Sequence, residues 1–298
     1  MRVAIVQSKP RKGDFDANVR DLGAAFAQLA AADEPYDLIV APEAALTGYF
    51  LEGAVYERAL EAETLALLLA DLWRAAPGSQ RKGVDIALGF YENAGGAYYN
   101  AALYLHVEGA QHEIVHVHRK MFLPTYGMFD EERFLSRGRR LQAFDTRFGR
   151  MAILICEDAW HGIMPTLAAV KGAQVLLVPS ASPGRGLAAG SELESVQHWR
   201  NVMRSYAIEH GVFVIYAGLA GFEGGKGMTG SSSVIDPFGE TLVTAPALGA
   251  CVLSAEIDVS DVDLARSRLP LLGDLRSVLP DLLFDPDVMP HLTQPGVA

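Results

Sequence analysis

Cys156 is the residue in this chain best placed to act as a nucleophile. It closes the apolar run Met151-Ala152-Ile153-Leu154-Ile155 and is followed at once by Glu157-Asp158-Ala159-Trp160. An unbroken apolar run of this kind reads as a strand buried on both faces, so the thiol stands where a core strand over 151–156 turns into a helix. Backbone N–H groups at such a turn favour negative charge, which predicts a lowered thiol pKa and offers donors to an oxyanion. A buried structural cysteine would occupy the same position. Cys251, the only other cysteine, gives the contrast: Cys251, Leu253, Ala255 and Ile257 alternate along a half-buried strand, which places Cys251 in the core.

Two charged residues can complete the chemistry. Glu43 stands in Ala41-Pro42-Glu43-Ala44, directly after the apolar Leu38-Ile39-Val40, where partial desolvation raises a carboxyl pKa. Lys120 closes Val115-His116-Val117-His118-Arg119-Lys120, again at the end of a strand. Each alone reads better as a surface charge at the end of an element. Together with Cys156 they supply what amide cleavage requires: a nucleophile, a proton carrier and a positive charge where the carbonyl oxygen becomes an anion. Ordinary thiol and carboxyl pKa values are about 4 units apart, so moving the proton costs roughly 6 kcal/mol. Burial of Glu43 and the charge of Lys120 narrow that gap from both sides, and no histidine is needed.

These residues need elements to hold them. Segments 2–8, 36–41, 84–91, 99–107, 112–118, 151–156, 174–179, 212–218, 231–236 and 250–257 are short, rich in β-branched or aromatic residues and bounded by turn formers, and they read as strands. Val19, Leu22, Phe26 and Leu29 form one apolar helical stripe. A second helix is expected over 54–75, and a third between Trp160 and Gly172. A fourth opens on the capping pair Ser191 and Glu194, carries Val196, Trp199, Met203 and Tyr206 inward and stops at Gly211. The alternation predicts a single α/β domain over 1–270. From about residue 259 Asp and Pro become frequent, so 271–298 is expected to be an extended arm.

Composition bounds the partners. The 298 residues carry 25 basic and 36 acidic side chains, a net charge of −11. Such a chain repels phosphate backbones, so nucleic acid is not an expected partner. No apolar stretch reaches membrane-spanning length, and two cysteines make no disulfide framework. A cytoplasmic protein with reduced thiols is expected. Ile114, His116, His118 and Lys120 share one strand face by period two, but no Cys or His partners at metal-binding spacing accompany them. No metal and no cofactor is expected. His161 reads either as a pocket-mouth residue or as a solvent-exposed one.

Three stretches then carry a specific resemblance. Ala-Pro-Glu-Ala at 41–44, His-Arg-Lys-Met-Phe-Leu-Pro-Thr-Tyr-Gly-Met-Phe-Asp-Glu at 118–131 and Ile-Leu-Ile-Cys-Glu-Asp-Ala-Trp at 153–160 resemble, in order and spacing, the signatures of the nitrilase (carbon–nitrogen hydrolase) superfamily. The resemblance implies a four-layer αββα sandwich, a Glu43–Lys120–Cys156 triad and a second active-site glutamate at Glu131, with Glu132 as the fallback. It also implies that the Glu157 N–H shares the oxyanion with Lys120, and that the chain forms a homodimer or higher homo-oligomer. The surroundings of Cys156, the 123–131 stretch and Pro179-Ser180-Ala181-Ser182-Pro183 are most similar to the glutaminase domain of NAD synthetases, although no P-loop is present. Tyr126, Glu157 and Ser180 are the candidate substrate contacts by position in these motifs. True nitrilases carry Cys-Trp-Glu at the nucleophile; Cys-Glu-Asp here argues against nitrile hydrolysis. The expectation is a free-standing amidase acting on a small carboxamide or N-carbamoyl compound through a cysteine thioester. A glutaminase subunit that feeds ammonia to a partner, or a non-catalytic binding protein on the same fold, are the alternatives.

Overall fold

The structure, a computed structural model, describes residues 1–79, 83–186 and 193–288. Strand β1 (Arg2–Gln7) shows the logic of the first half. Val3 and Ile5 face one way and Ala4 and Val6 the other, and both sets are buried in different cores. Helix α1 (Phe15–Ala30) follows and lays Leu22, Phe26 and Leu29 onto the second set. Strand β2 (Leu38–Val40) repeats the alternation. The helix expected over 54–75 is broken into α2 (Val55–Arg58) and α3 (Ala62–Ala75). The cause is Leu60: its N–H donates to Tyr91 O and its carbonyl accepts from Asn93 N, so residues 59–61 are drawn into extended pairing. Strands β3 (Val84–Ala94), β4 (Ala97–Glu108) and β5 (Gln111–Arg119) complete a sheet of order β5-β4-β3-β2-β1 and one later strand.

The second half builds a matching sheet. Strands β6 (Ala143–Thr146) and β7 (Gly149–Ile153), helix α4 (Ile163–Val170), strand β8 (Val175–Ser180), helix α5 (Glu194–His210) and strand β9 (Phe213–Gly218) follow in turn. A hairpin, β10 (Ala220–Glu223) and β11 (Lys226–Thr229), stands apart. Then come β12 (Ser233–Ile235), β13 (Thr241–Thr244) and β14 (Cys251–Glu256). The second sheet has the order β13-β12-β9-β8-β7-β6, while β14 returns to pair antiparallel with β1 in the first.

Four layers result, as the resemblance implied. Helices α1 and α3 cover the outer face of the first sheet, and α4 and α5 cover the second. Between the sheets, Val3, Ile5, Leu38, Val40 and Tyr104 meet Met151, Ile153, Val175 and Ile215 in one core. The inner stripe expected on α5 is buried, whereas Ser191, half of its expected capping pair, lies outside the described residues.

Three expectations are corrected. The stretch after 259 is not an extended arm over 271–283: α6 (Asp261–Arg268) and α7 (Leu271–Leu283) are helical. Arg276 on α7 donates to Ala169 O and Val170 O, the last carbonyls of α4, and Leu272 is buried against the core. Second, Ile114 does not share a face with His116 and His118. Tyr104 pairs with His116 while Leu105 pairs with Ile114, so a bulge at Val115 turns Ile114 toward the α3 side. Third, Cys251 is only half-buried, because β14 is an edge strand whose first residue opens onto a groove beside α1.

Candidate active site

The ends of the parallel strands converge. Glu43 follows β2, Ser180 ends β8, and Cys156 lies three residues past β7; Lys120 follows β5. Carboxyl ends of parallel strands are where α/β sheets usually gather ligands, because the chain leaves the sheet there and exposes its turns.

Glu43 is fully buried. The backbone around it is sewn to β3: Ala41 N donates to Ala87 O, Gly89 N to Pro42 O, and Ala45 N to Gly89 O. A Cβ at position 89 would lie 2.5 Å from Glu43 Cα, so only glycine lets the two chains approach this closely. Lys120 is also fully buried, with its N–H donating to Asn100 O at 2.8 Å.

Lys120 Nζ donates to Glu43 Oε1 at 2.8 Å and to Glu131 Oε1 at 2.9 Å. Asn100 Nδ2 donates to the same two oxygens, at 2.7 and 3.0 Å. Ala181 N–H donates to Glu43 Oε2 at 2.7 Å. Glu131 is therefore drawn into the cluster, while Glu132 is exposed. Burial works against the charge on Lys120, but Glu131 and Glu43 outweigh it and hold the pKa well above the ordinary lysine value. Burial pushes the Glu131 carboxyl up, with Lys120 pulling in the other direction.

Cys156 opens a 3-10 turn over Cys156–Trp160 rather than an α-helix. Its φ is +46°, a left-handed conformation that costs a side-chain-bearing residue roughly 1–2 kcal/mol. Asp158 is the brace that holds the turn. It accepts from Ile155 N, Met121 N and Phe122 N at 2.9–3.1 Å, and His118 Nε2 donates to it at 2.9 Å. The chain just past Lys120 is thereby fastened to the turn that carries the thiol.

The lowered thiol pKa expected from sequence is overturned. Burial raises the Cys156 pKa, and the Glu43 carboxylate raises it further, while Lys120, the Ser180 hydroxyl and the Ala181 N–H pull down without prevailing. The lysine and the hydrogen-bond donors act in the expected direction, but burial of the thiol and the neighbouring Glu43 outweigh them. Ser180 is fully buried next to the thiol, and its Oγ makes no hydrogen bond to nitrogen or oxygen among the described residues.

The candidate substrate contacts divide. Tyr126 OH donates to the Glu157 carboxylate at 3.0 and 3.1 Å. Both residues line a 360 Å³ cavity with Trp160, Arg185, Glu194 and His198, and Ser180 is not part of that lining. A smaller cavity of 120 Å³ lies beside Glu131, walled by Tyr49, Phe50, Tyr91 and Phe129. His161 stacks on Phe122 at 3.7 Å between ring centroids and comes within 4.0 Å of Glu157. His116 stacks on Phe144. Sequence reasoning missed Asn100, Asp158, Arg185 and Glu223. Glu223 is buried and accepts from Tyr49 N and Phe50 N at 2.9–3.1 Å, fixing the wall of the smaller cavity. Only Asp158, inside the Cys-Glu-Asp motif, stood where a signal existed.

The sequence model for carbon–nitrogen hydrolase matches residues 2–267. The glutamine-dependent NAD(+) synthetase of Thermotoga maritima is 26% identical over 261 residues, which is 88% of this chain but 42% of that protein. The chain thus spans less than half the length of that relative. The N-carbamoylputrescine amidase of Arabidopsis thaliana is 28% identical over 209 residues, 67% of each chain. The crystal structure of a carbon–nitrogen hydrolase from Helicobacter pylori G27 superposes with a TM-score of 0.80 at 25% identity, covering 96% of this chain and 99% of that one. With a family match running almost from end to end and the same sandwich in a solved relative, this chain belongs to the carbon–nitrogen hydrolase family and is an enzyme of the nitrilase superfamily.

Proposed function

We propose that this amidohydrolase cleaves a small carboxamide or N-carbamoyl compound through a thioester on Cys156. The observation that carries the reading is the buried cluster in which Lys120 and Asn100 bridge Glu43 Oε1 and Glu131 Oε1. An ammonium has three protons. Two are committed to the glutamates, which leaves the third for a carbonyl oxygen that becomes an anion.

The cycle follows from these donors and acceptors. Cys156 Sγ attacks the carbonyl carbon while its proton passes to Glu43. Because the thiol pKa is raised, attack and proton transfer are coupled rather than preceded by a resting thiolate. Lys120 Nζ and the Glu157 N–H stabilise the oxyanion. Glu43 returns the proton to the leaving nitrogen, the C–N bond breaks, and ammonia or an amine departs. Glu43 then takes a proton from water as its oxygen attacks the thioester, and collapse expels the sulfur, which recovers that proton.

Ammonia release against a panel of aliphatic amides, ω-amides and N-carbamoyl compounds tests the reading. We expect turnover of at least one class, none with Cys156→Ala at an unchanged melting temperature, and an acyl adduct on Cys156 by intact mass in Glu43→Gln. Activity retained in Cys156→Ala would overturn it. The larger cavity favours one second reading. Glu157 and Arg185 place opposite charges on its wall, which match the ammonium and carboxylate of an α-amino acid. Glutamine would then be the substrate, and a glutaminase serving a partner would show glutamine turnover that rises only when that partner is added.

A further inference from the structure

At the open edge of the first sheet lies a further concavity of 420 Å³. Arg119, Arg137, Arg139 and Arg140 line it, together with Tyr99 and Gln142, and no acidic residue does. This is a concentration of positive charge on a chain whose net charge is −11.

The backbone explains how the arginines come together. Ser136 N donates to Tyr98 O at 2.8 Å and Gly138 N to Lys120 O at 2.7 Å, so the strap over 136–138 is pressed onto the edge of β4 and β5. A Cβ at position 138 would lie 2.0 Å from Arg119 O. Only glycine permits that approach, and it leaves Arg137 and Arg139 flanking the pinch. Arg119 is already neutralised: its guanidinium grips Glu92 through two hydrogen bonds, at 2.6 and 2.9 Å, and lies over the Tyr99 ring. Arg137, Arg139 and Arg140 are exposed and make no ion pair or hydrogen bond among the described residues. Three uncompensated guanidinium groups sharing one hollow repel each other, and a bound anion relieves that repulsion.

We propose that this hollow is a binding site for a small polyphosphate group. The guanidinium fork matches phosphate oxygens two at a time, and the volume falls within the range of about 300–1,000 Å³ typical of small-ligand sites. Size and charge select against the larger polyanions. A nucleic acid or an anionic bilayer would bring its charge against the acidic remainder of the surface, whereas a compact group meets only the arginines. None of the residues lining the hollow is among those assigned to the thioester chemistry.

Calorimetric titration of inorganic orthophosphate, pyrophosphate and tripolyphosphate into the intact protein tests this, alongside the triple variant Arg137→Ala/Arg139→Ala/Arg140→Ala. We expect saturable one-site binding that tightens with phosphate chain length and weakens with added salt. The triple variant should bind at least about tenfold more weakly, with its melting temperature and basal ammonia release unchanged. A nucleoside triphosphate that binds like tripolyphosphate assigns recognition to the phosphates alone; tighter binding adds a contact from the organic part. Absence of saturable binding, or equal binding by the triple variant, overturns the proposal. So does binding to phosphatidylserine vesicles without binding to pyrophosphate, or a change of oligomeric state as the sole effect of the substitutions.

Discussion

In the proposed cycle, the direction of the Cys156 pKa shift bears on how the first step runs. A thiol raised by burial and by Glu43 stays protonated at neutral pH, and its thiolate fraction grows only as pH rises toward the shifted value. Removing the Glu43 charge takes away the second largest cause and leaves Lys120 free to favour the thiolate. Glu43→Gln should therefore alkylate faster with iodoacetamide at Cys156, by about tenfold for each unit the pKa falls, while losing turnover. Slower alkylation would mean that Glu43 acts as the base even toward this reagent. Asn100 offers a second test. Its amide donates to both glutamates, and Asn100→Ala should lower kcat roughly 10–100-fold, in keeping with the loss of hydrogen bonds to buried charge. Asn100→Asp puts a third carboxylate beside the other two and should fall further; equal activity would show that Lys120 alone organises the pair. At this scale the sequence displayed Glu43, Lys120 and Cys156, because each stands in a marked stretch at the end of an element, while Glu131 was legible only through the motif resemblance. Asn100 carried no mark, being one polar residue near the start of a strand. The thiol shift was misread because the turn and the lysine were given more weight than burial, which raises the thiol most, and the Glu43 carboxylate beside it.

Elements hold the site from a distance, and Glu223 is the sharpest case. It stands at the end of β10 and captures the N–H groups of Tyr49 and Phe50, 174 and 173 residues earlier in the chain. Tyr91 OH donates to Tyr49 O at 2.6 Å, and the Tyr49 ring lies 5.6 Å from Lys120 Nζ. Glu223→Gln keeps the shape but replaces one accepting oxygen by a donor that faces an N–H. The loop behind Glu43 should loosen, with KM for the substrate rising several-fold more than kcat falls and a loss of stability of about 1–3 kcal/mol. Equal losses in both parameters would place Glu223 in the chemistry instead. The hairpin that carries it was invisible in sequence, since Gly221-Phe222-Glu223-Gly224-Gly225-Lys226-Gly227 has the glycine content of a loop. Strands β6 and β13 escaped for a related reason: each is four residues long and sits at or beside a sheet edge, where alternation has little length to declare itself. The helices after 260 were hidden by the weight given to Asp and Pro. Pro280 lies inside α7, and the spacing of Leu272, Leu275 and Arg276 was the better guide.

For the whole molecule, periodicity reached a single α/β domain, and only the three motifs implied that two sheets stack. What periodicity missed are the side chains that tie one sheet to the other. At the end of the sandwich opposite Glu43, Asp85 on β3 is buried and accepts from Tyr104 OH at 2.7 Å, from His106 Nδ1 at 2.6 Å and from Arg147 Nε at 3.0 Å. Arg147 belongs to the turn between β6 and β7 in the other sheet, and it also donates to Gly83 O at 2.7 Å. Removing it leaves the buried carboxylate with only Tyr104 and His106 as side-chain donors, and the guanidinium is itself partly exposed. Arg147→Ala should therefore lower the unfolding free energy by roughly 2–3 kcal/mol, below the full cost of a completely buried pair. Adding Asp85→Asn removes the stranded charge, so the double variant should lose less than the sum of the two single ones. Urea unfolding of the four proteins measures this, and kcat should stay within about twofold throughout, because the clamp and the thiol occupy opposite ends of the strands. A loss below about 0.5 kcal/mol for Arg147→Ala, or strict additivity in the cycle, would show that the two sheets are held by their apolar faces alone.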